Sequence, residues 1–134
     1  MGFLNKLQPL GLLVLRLVAG VILAAHGWQK IHGGPGHFVH TVSGLGLPGW
    51  MAYLAIAAEF LGGLLLIAGF ATRIAAVFVL IDMLVAIFKV HLHRGLIGQG
   101  GFEFPLSLAA IAFALIFFGA GEISIDWLMG DRGR

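Results

Sequence analysis

Three charged side chains interrupt long apolar runs. Arg16 lies in the run 9–28, Glu59 in 51–69 and Asp82 in 72–90. A charge in hydrocarbon costs about 2.5–3.5 kcal/mol on insertion scales, so each needs a partner or a use. Two carboxyls beside one arginine can share a proton, because like-charge repulsion keeps one of them neutral. Such a group could relay protons or balance charge at a redox site. The same three residues could instead form a structural ion network that locks the helices. Removing one member of such a network costs about 3–5 kcal/mol. The residue types alone leave both readings open.

A second polar set stands at the ends of three runs: His26, Lys30, Lys89, His91, His93 and Glu103. Histidine titrates near neutrality and can pass a proton. An ammonium can stabilise charge that develops on an oxygen. These groups suit a headgroup with carbonyl oxygens, such as a quinone, bound by His26, Lys30, Lys89, His91 and Glu103. The plain alternative for Lys30 and Lys89 is snorkelling to the interface. His37 and His40 read as solvated loop residues. His91-x-His93 is a weak metal pattern, and nothing around His26 and His91 resembles a haem motif, so neither metal nor haem is expected.

The chain has no cysteine. That removes disulfides, thiolate chemistry and iron–sulfur ligation. Electron chemistry would need a bound cofactor or a partner subunit. No Gly-rich turn follows a strand, no P-loop lysine occurs and no Ser–His–Asp arrangement is readable. No complete active site can be read.

The elements that position these residues follow from composition. Of 134 residues, 60% are hydrophobic and 10% charged, and the mean hydropathy is +1.02. A soluble domain is about 25% charged, so that class is excluded, as is disorder. The net charge of +2 forms no basic stripe with aromatics, so nucleic acid is no partner. The lipid bilayer is the expected surrounding.

Four runs, 9–28, 51–69, 72–90 and 104–121, have roughly the length that crosses ~30 Å of hydrocarbon as helix. Backbone groups in lipid must bond within their own segment, so helix is the only reading. The first run is too long for a signal-peptide core and keeps its place as a span. The expected fold is all-α: one domain, 1–134, an integral membrane four-helix bundle. A short interfacial helix is expected at 37–43 in the first outer loop, with Phe38, Val42 and Leu45 on one stripe. Gly69 should close the second span and Thr72 should N-cap the third.

Helical phase places Arg16, Gly20, Leu23, Gly27 and Lys30 on one inward line. Ala55, Glu59, Gly62, Gly63 and Leu66 form the matching stripe of the second span. Ala75, Asp82, Ala86 and Lys89 align on the third, and Ser107, Ala110, Ala114 and Gly121 on the fourth. Depth arithmetic puts Arg16 ~10 Å and both carboxyls ~15 Å from the inner surface, so the three charges are expected near one level. With the N-terminus inside, Lys6, Arg73, Arg132 and Arg134 face Lys30, Lys89 and Arg94 across the membrane. This favours N-in and C-in.

Arg16-x3-Gly20 followed by His26-Gly27-x2-Lys30 resembles the opening of the DoxX family. Glu59-x2-Gly62-Gly63-x2-Leu66-x2-Gly69-x2-Thr72-Arg73 looks like its second block. Gly119-x-Gly121-x2-Ser124-Ile125-Asp126 looks like its last. Asp82 and His91-x-His93 are not tied to that pattern. The resemblance implies a four-helix protein of the bacterial inner membrane, loosely linked to respiratory redox chemistry. The family takes its name from a thiosulfate:quinone oxidoreductase subunit. The resulting expectation is a membrane subunit that binds a quinone and relays protons through Arg16, Glu59 and Asp82. Its partner would be another protein subunit as electron donor, or a second copy of itself. The alternatives are a non-catalytic anchor or assembly partner of a redox or detoxification complex, and a small-solute or proton transporter. The transporter would need a dimer to build two halves.

Overall fold

The computed structural model describes residues 1–130. All regular structure among them is helical. A first turn, α1 (Gly2–Asn5), leads to α2 (Gln8–His32), α3 (Pro35–Gly44), α4 (Met51–Ala68), α5 (Thr72–Ala86), α6 (Glu103–Phe118) and a last turn, α7 (Ile125–Leu128). Pro9 lies in the first turn of α2, where its missing N–H has no intrahelical partner to lose. Beyond Ala86 the α5 helix runs on through a π-helical turn, Ile87–His91, and a 3-10 turn, Leu92–Arg94.

Among the described residues, three stretches are long and apolar enough to cross a membrane: Gln8–His32, Met51–Ala68 and Thr72–Arg94. The fourth, α6, is apolar but has 16 residues, ~24 Å of helix. It stops at Phe118, short of the expected 121, because Gly119 turns to φ 73°. α3 stands where a short interfacial helix was expected, between the first two spans. The fold is a membrane four-helix bundle.

α2 packs against α4 and α5 against α6, and α4 and α5 join the two pairs. The α2–α4 contact is backbone to backbone. A Cβ added to Gly20 would lie 2.7 Å from the Gly63 carbonyl oxygen, and one on Gly63 2.6 Å from the Ala24 nitrogen. One on Gly27 would lie 2.6 Å from the Phe60 nitrogen. Only hydrogen fits at these three positions, which is how small residues let membrane helices close together. The apolar core fills the space between the pairs, from Ala19 and Leu23 through Leu66 and Val79 to Leu108 and Leu115.

The inward stripes expected on α2 and α4 are buried except for Lys30 and Ala55, which are half-buried. On α5, Ala75 is buried but Lys89 is exposed. The stripe assigned to α6 is wrong. Ser107 and Ala110 face outward, and Pro105, Leu108, Ala109, Ala112 and Leu115 are buried. Beyond Glu103 the α6 sequence carries no charge to mark its polar side, and small size alone does not fix a phase. The cap of α5 also differs. Ala71 is its N-cap residue, at φ 50°. Asp126 from the distant last turn accepts from the Ala71 N–H at 2.7 Å and the Thr72 N–H at 2.9 Å. The Thr72 hydroxyl is buried without a partner.

The contact makes a simple prediction. Gly63→Ala must push α2 and α4 apart, whereas Gly11→Ala on α2 meets nothing within 4 Å. In detergent, Gly63→Ala should lower the melting temperature by several degrees. Gly11→Ala should leave it unchanged or slightly raised, because alanine favours helix over glycine.

Candidate functional site

Near the α3 end of the bundle, α2 and α4 bring one lysine onto one carboxylate. Lys30 donates to both oxygens of Glu59, at 2.7 Å to Oε1 and 2.6 Å to Oε2. Glu59 is buried, with its side chain 5% exposed, while the Lys30 side chain keeps 28%. From above, α3 lays Phe38 over the ammonium, which sits 4.3 Å from the ring centroid. This is cation–π geometry, favoured where water is scarce. Asp82 on α5 completes the cluster. It stands close enough to Glu59 and Lys30 to interact electrostatically with both, while the hydrogen bonds themselves run from Lys30 to Glu59. One cation thus faces two acids in an apolar bundle.

Arg16 is not part of this cluster. Its Nε donates to the Leu66 carbonyl at 3.2 Å, and its Nη1 to the carbonyls of Ala120 at 2.8 Å and Ile123 at 2.9 Å. The residue is 1% exposed. The guanidinium therefore ties the end of α4 to the chain that leaves α6. The expected single level for Arg16, Glu59 and Asp82 fails for two reasons. First, Gly27 faces Phe60 across the helix contact, so Glu59 stands level with about position 28, roughly 18 Å from Arg16 along the axis. The first turns of α2 project past the α4–α5 turn, so Arg16 is less deep than counting from Pro9 implied. Second, helical side chains lean toward their own N-terminus. Arg16 leans away from Glu59, whereas Lys30 and Glu59 on antiparallel helices lean toward each other.

The Arg16 end is a lock built mostly from backbone. Gly69 caps α4 in the left-handed region, and a Cβ there would lie 2.7 Å from Arg16 Nη1. The Asp126 N–H donates to the Gly69 carbonyl at 2.8 Å, while its carboxylate caps α5. Ser124 caps α7 by accepting from the Trp127 N–H at 3.1 Å, and donates to the Gly121 carbonyl at 2.6 Å. Arg73 donates to the Ile116 carbonyl at 3.3 Å. A cleft of about 330 Å³ opens beside this lock, bordered by Lys6, Gln8, Arg73, Glu122 and Trp127.

The remaining candidate residues do not join the cluster directly. His26 is exposed and packs its ring 5.7 Å from Phe104. His91 Nδ1 lies 2.7 Å from the Gly100 carbonyl oxygen and so anchors its own loop. Lys89, His93 and Glu103 are exposed. No group of three or more His, Asp or Glu side chains poised to hold a metal occurs among the described residues. Phe38 was read from sequence as one apolar position on a stripe. Its place over Lys30 carried no sequence signal beyond that stripe.

The DoxX family profile matches residues 11–92. The chain belongs to the DoxX family. It is 37% identical to the Bacillus subtilis protein named "Putative oxidoreductase CatD" over 112 residues, covering 84% of this chain and 83% of CatD. It is 32% identical over 131 residues to Inner membrane protein YqjF of Escherichia coli, covering 96% and 99%. A membrane protein of Mycobacterium tuberculosis is 30% identical over 141 residues, covering 92% and 84%. No solved structure matches. The chain is a DoxX-family membrane protein. The family-like blocks meet at two places: Arg16, Gly69, Thr72, Ser124 and Asp126 at the lock, Lys30 and Glu59 at the cluster.

Double-mutant cycles separate the two ends. Lys30→Met should destabilise by about 3 kcal/mol, because it strands the buried Glu59 carboxylate. Adding Glu59→Gln should restore much of that loss. Arg16→Lys and Glu59→Gln should instead add to within about 0.5 kcal/mol, as independent sites do. Unfolding in mixed micelles measures both cycles.

Proposed function

We propose that this chain is an inner-membrane subunit of a bacterial redox system, and that the Lys30–Glu59–Asp82 cluster holds a quinone headgroup and exchanges protons with it. The observation that carries the reading is the composition of the cluster: two acids and one amine kept together inside an apolar bundle. Two carboxyls close together repel each other when both are ionised, which favours a proton on one of them. A lysine that already serves one acid leaves the second to hold or release that proton. The word oxidoreductase in the name of CatD and the words inner membrane in that of YqjF support the redox setting and the location.

The residues fit such a ligand. A quinone would supply the two-electron, two-proton chemistry that a cysteine-free chain lacks. Lys30 keeps enough exposure to donate to a carbonyl oxygen. His26 and Phe104, and Trp28 against Phe60 at 6.0 Å, provide ring surfaces near the same end. Glu59 orients the ammonium, and Asp82 is the proton-carrying acid. Arg16 has a different part: its hydrogen bonds go to backbone carbonyls, so it holds the helices and moves no proton. Lys89, His91 and Glu103 line the rim and do not bear on the chemistry. Electrons come from a separate protein. The N-in, C-in orientation rests on the charge count, in which Arg132 and Arg134 lie outside the described residues.

A membrane anchor would also need the Arg16 lock, so the test must address the cluster. Protein purified from native membranes in mild detergent is extracted and its quinones identified by mass spectrometry. The wild type should carry quinone. His26→Ala and the paired variant Lys30→Met/Glu59→Gln should each lose it at least tenfold while melting within a few degrees of the wild type. The paired variant removes both charges together and strands neither. A wild type free of quinone, or quinone kept by both variants, would replace this reading with the anchor.

A further inference from the structure

An apolar layer separates the cluster from the lock. Between Arg16 and His26 on α2, after Glu59 on α4, between Arg73 and Asp82 on α5, and after Ser107 on α6, no polar side chain occurs. At this level Leu23, Leu66 and Val79 are 1% exposed and Leu115 0%, and they belong to one packed group. Val79 lies one turn below Asp82, and Leu23 one turn below Gly27. The α2–α4 seam is shut by backbone contact at Gly20 and Gly63. The backbone groups of these segments are already used within their helices. A proton moves along hydrogen bonds, and this layer offers none. Holding charge there would meet the full cost of burial.

The far side differs. Lys30 is part-exposed, and the cover above it is a single short helix. Glycines at positive φ flank that helix, Gly34 at 94° and Gly46 at 83°. We infer that the Lys30–Glu59–Asp82 cluster communicates with one side of the membrane only, the side bearing α3 and the loop 95–102. Protons bound or released at the cluster therefore come from and return to that side, and the chain by itself carries none across. A proton or solute carrier would need a second path through the Leu23–Leu66–Val79–Leu115 layer. This inference rests on reading the cluster as a proton-exchanging site.

The absence of cysteine makes the test clean. Single-cysteine variants are treated in sealed membrane vesicles of either orientation with a charged, membrane-impermeant thiol reagent. Gly36→Cys on α3 and Glu122→Cys beside the lock report the two sides. Asp82→Cys should react at least tenfold faster from the Gly36 side than from the Glu122 side. Lys30→Cys combined with Glu59→Gln provides a second report should the first variant fold poorly, and should react in the same sense. Leu66→Cys should react from neither side. Reaction of either cluster variant at equal rates from both sides, faster reaction from the Glu122 side, no reaction from either, or labelling of Leu66→Cys would overturn the inference. The readout does not involve quinone. One-sided reaction without bound quinone would therefore remove only the functional reading, and two-sided reaction with quinone bound only the sidedness.

Discussion

The rest of the structure depends on the backbone contact between α2 and α4. With hydrogen alone at Gly20, Gly27 and Gly63, the two helices touch along about two turns. That contact fixes their register. The register in turn sets Lys30 within reach of Glu59 and puts Arg16 level with the α4–α5 turn. In lipid no hydrophobic force draws helices together, so close packing and interhelical polar contacts must do so. Here the packing comes from glycine, and the polar contacts stand at both ends of the glycine seam.

Those two ends solve different problems. At one, Arg16 and Asp126 satisfy backbone groups that helix ends leave open. Arg16 reaches three carbonyls, and Asp126 takes two N–H groups and gives one. A guanidinium suits the task because its rigid fork serves several acceptors at once. At the other end the account does not close on itself. Lys30 bonds the Glu59 carboxylate and Asp82 stands near the pair, so acids outnumber the amine there. An apolar layer lies between the two ends.

Much of this was legible in the sequence, and the gaps have physical causes. Four apolar helices, the Gly69 turn and most of the buried stripes of α2 and α4 follow from the sequence, because apolar runs, charges and glycines mark them. The phase of α6 was not legible, since a uniformly apolar helix in lipid has no polar side to mark. Arg16 was assigned to the carboxyls because residue types suggest ion pairs. Its real partners are carbonyls, which every residue carries and no sequence pattern announces. Depth arithmetic placed Cα atoms but assumed that α2 begins and α4 ends at one surface. The Lys30–Glu59 pair needed the lean of side chains along antiparallel helices, a term that simple level counting omits. Asp126 as the cap of α5 is a contact across more than fifty positions, beyond the reach of any local rule.

The most direct test of this division is a distance in the bilayer. The sequence has three lysines, Lys6, Lys30 and Lys89, and three glutamates, Glu59, Glu103 and Glu122, so selective labelling is readily assigned. In protein reconstituted into lipid, with lysine Nζ labelled with nitrogen-15 and glutamate carboxyl with carbon-13, solid-state NMR measures their dipolar coupling. The account requires a strong coupling that disappears in Lys30→Met and is untouched in Arg16→Lys. Absence of that coupling in the wild type, or a guanidinium of Arg16 found against the Glu59 carboxyl, would contradict it.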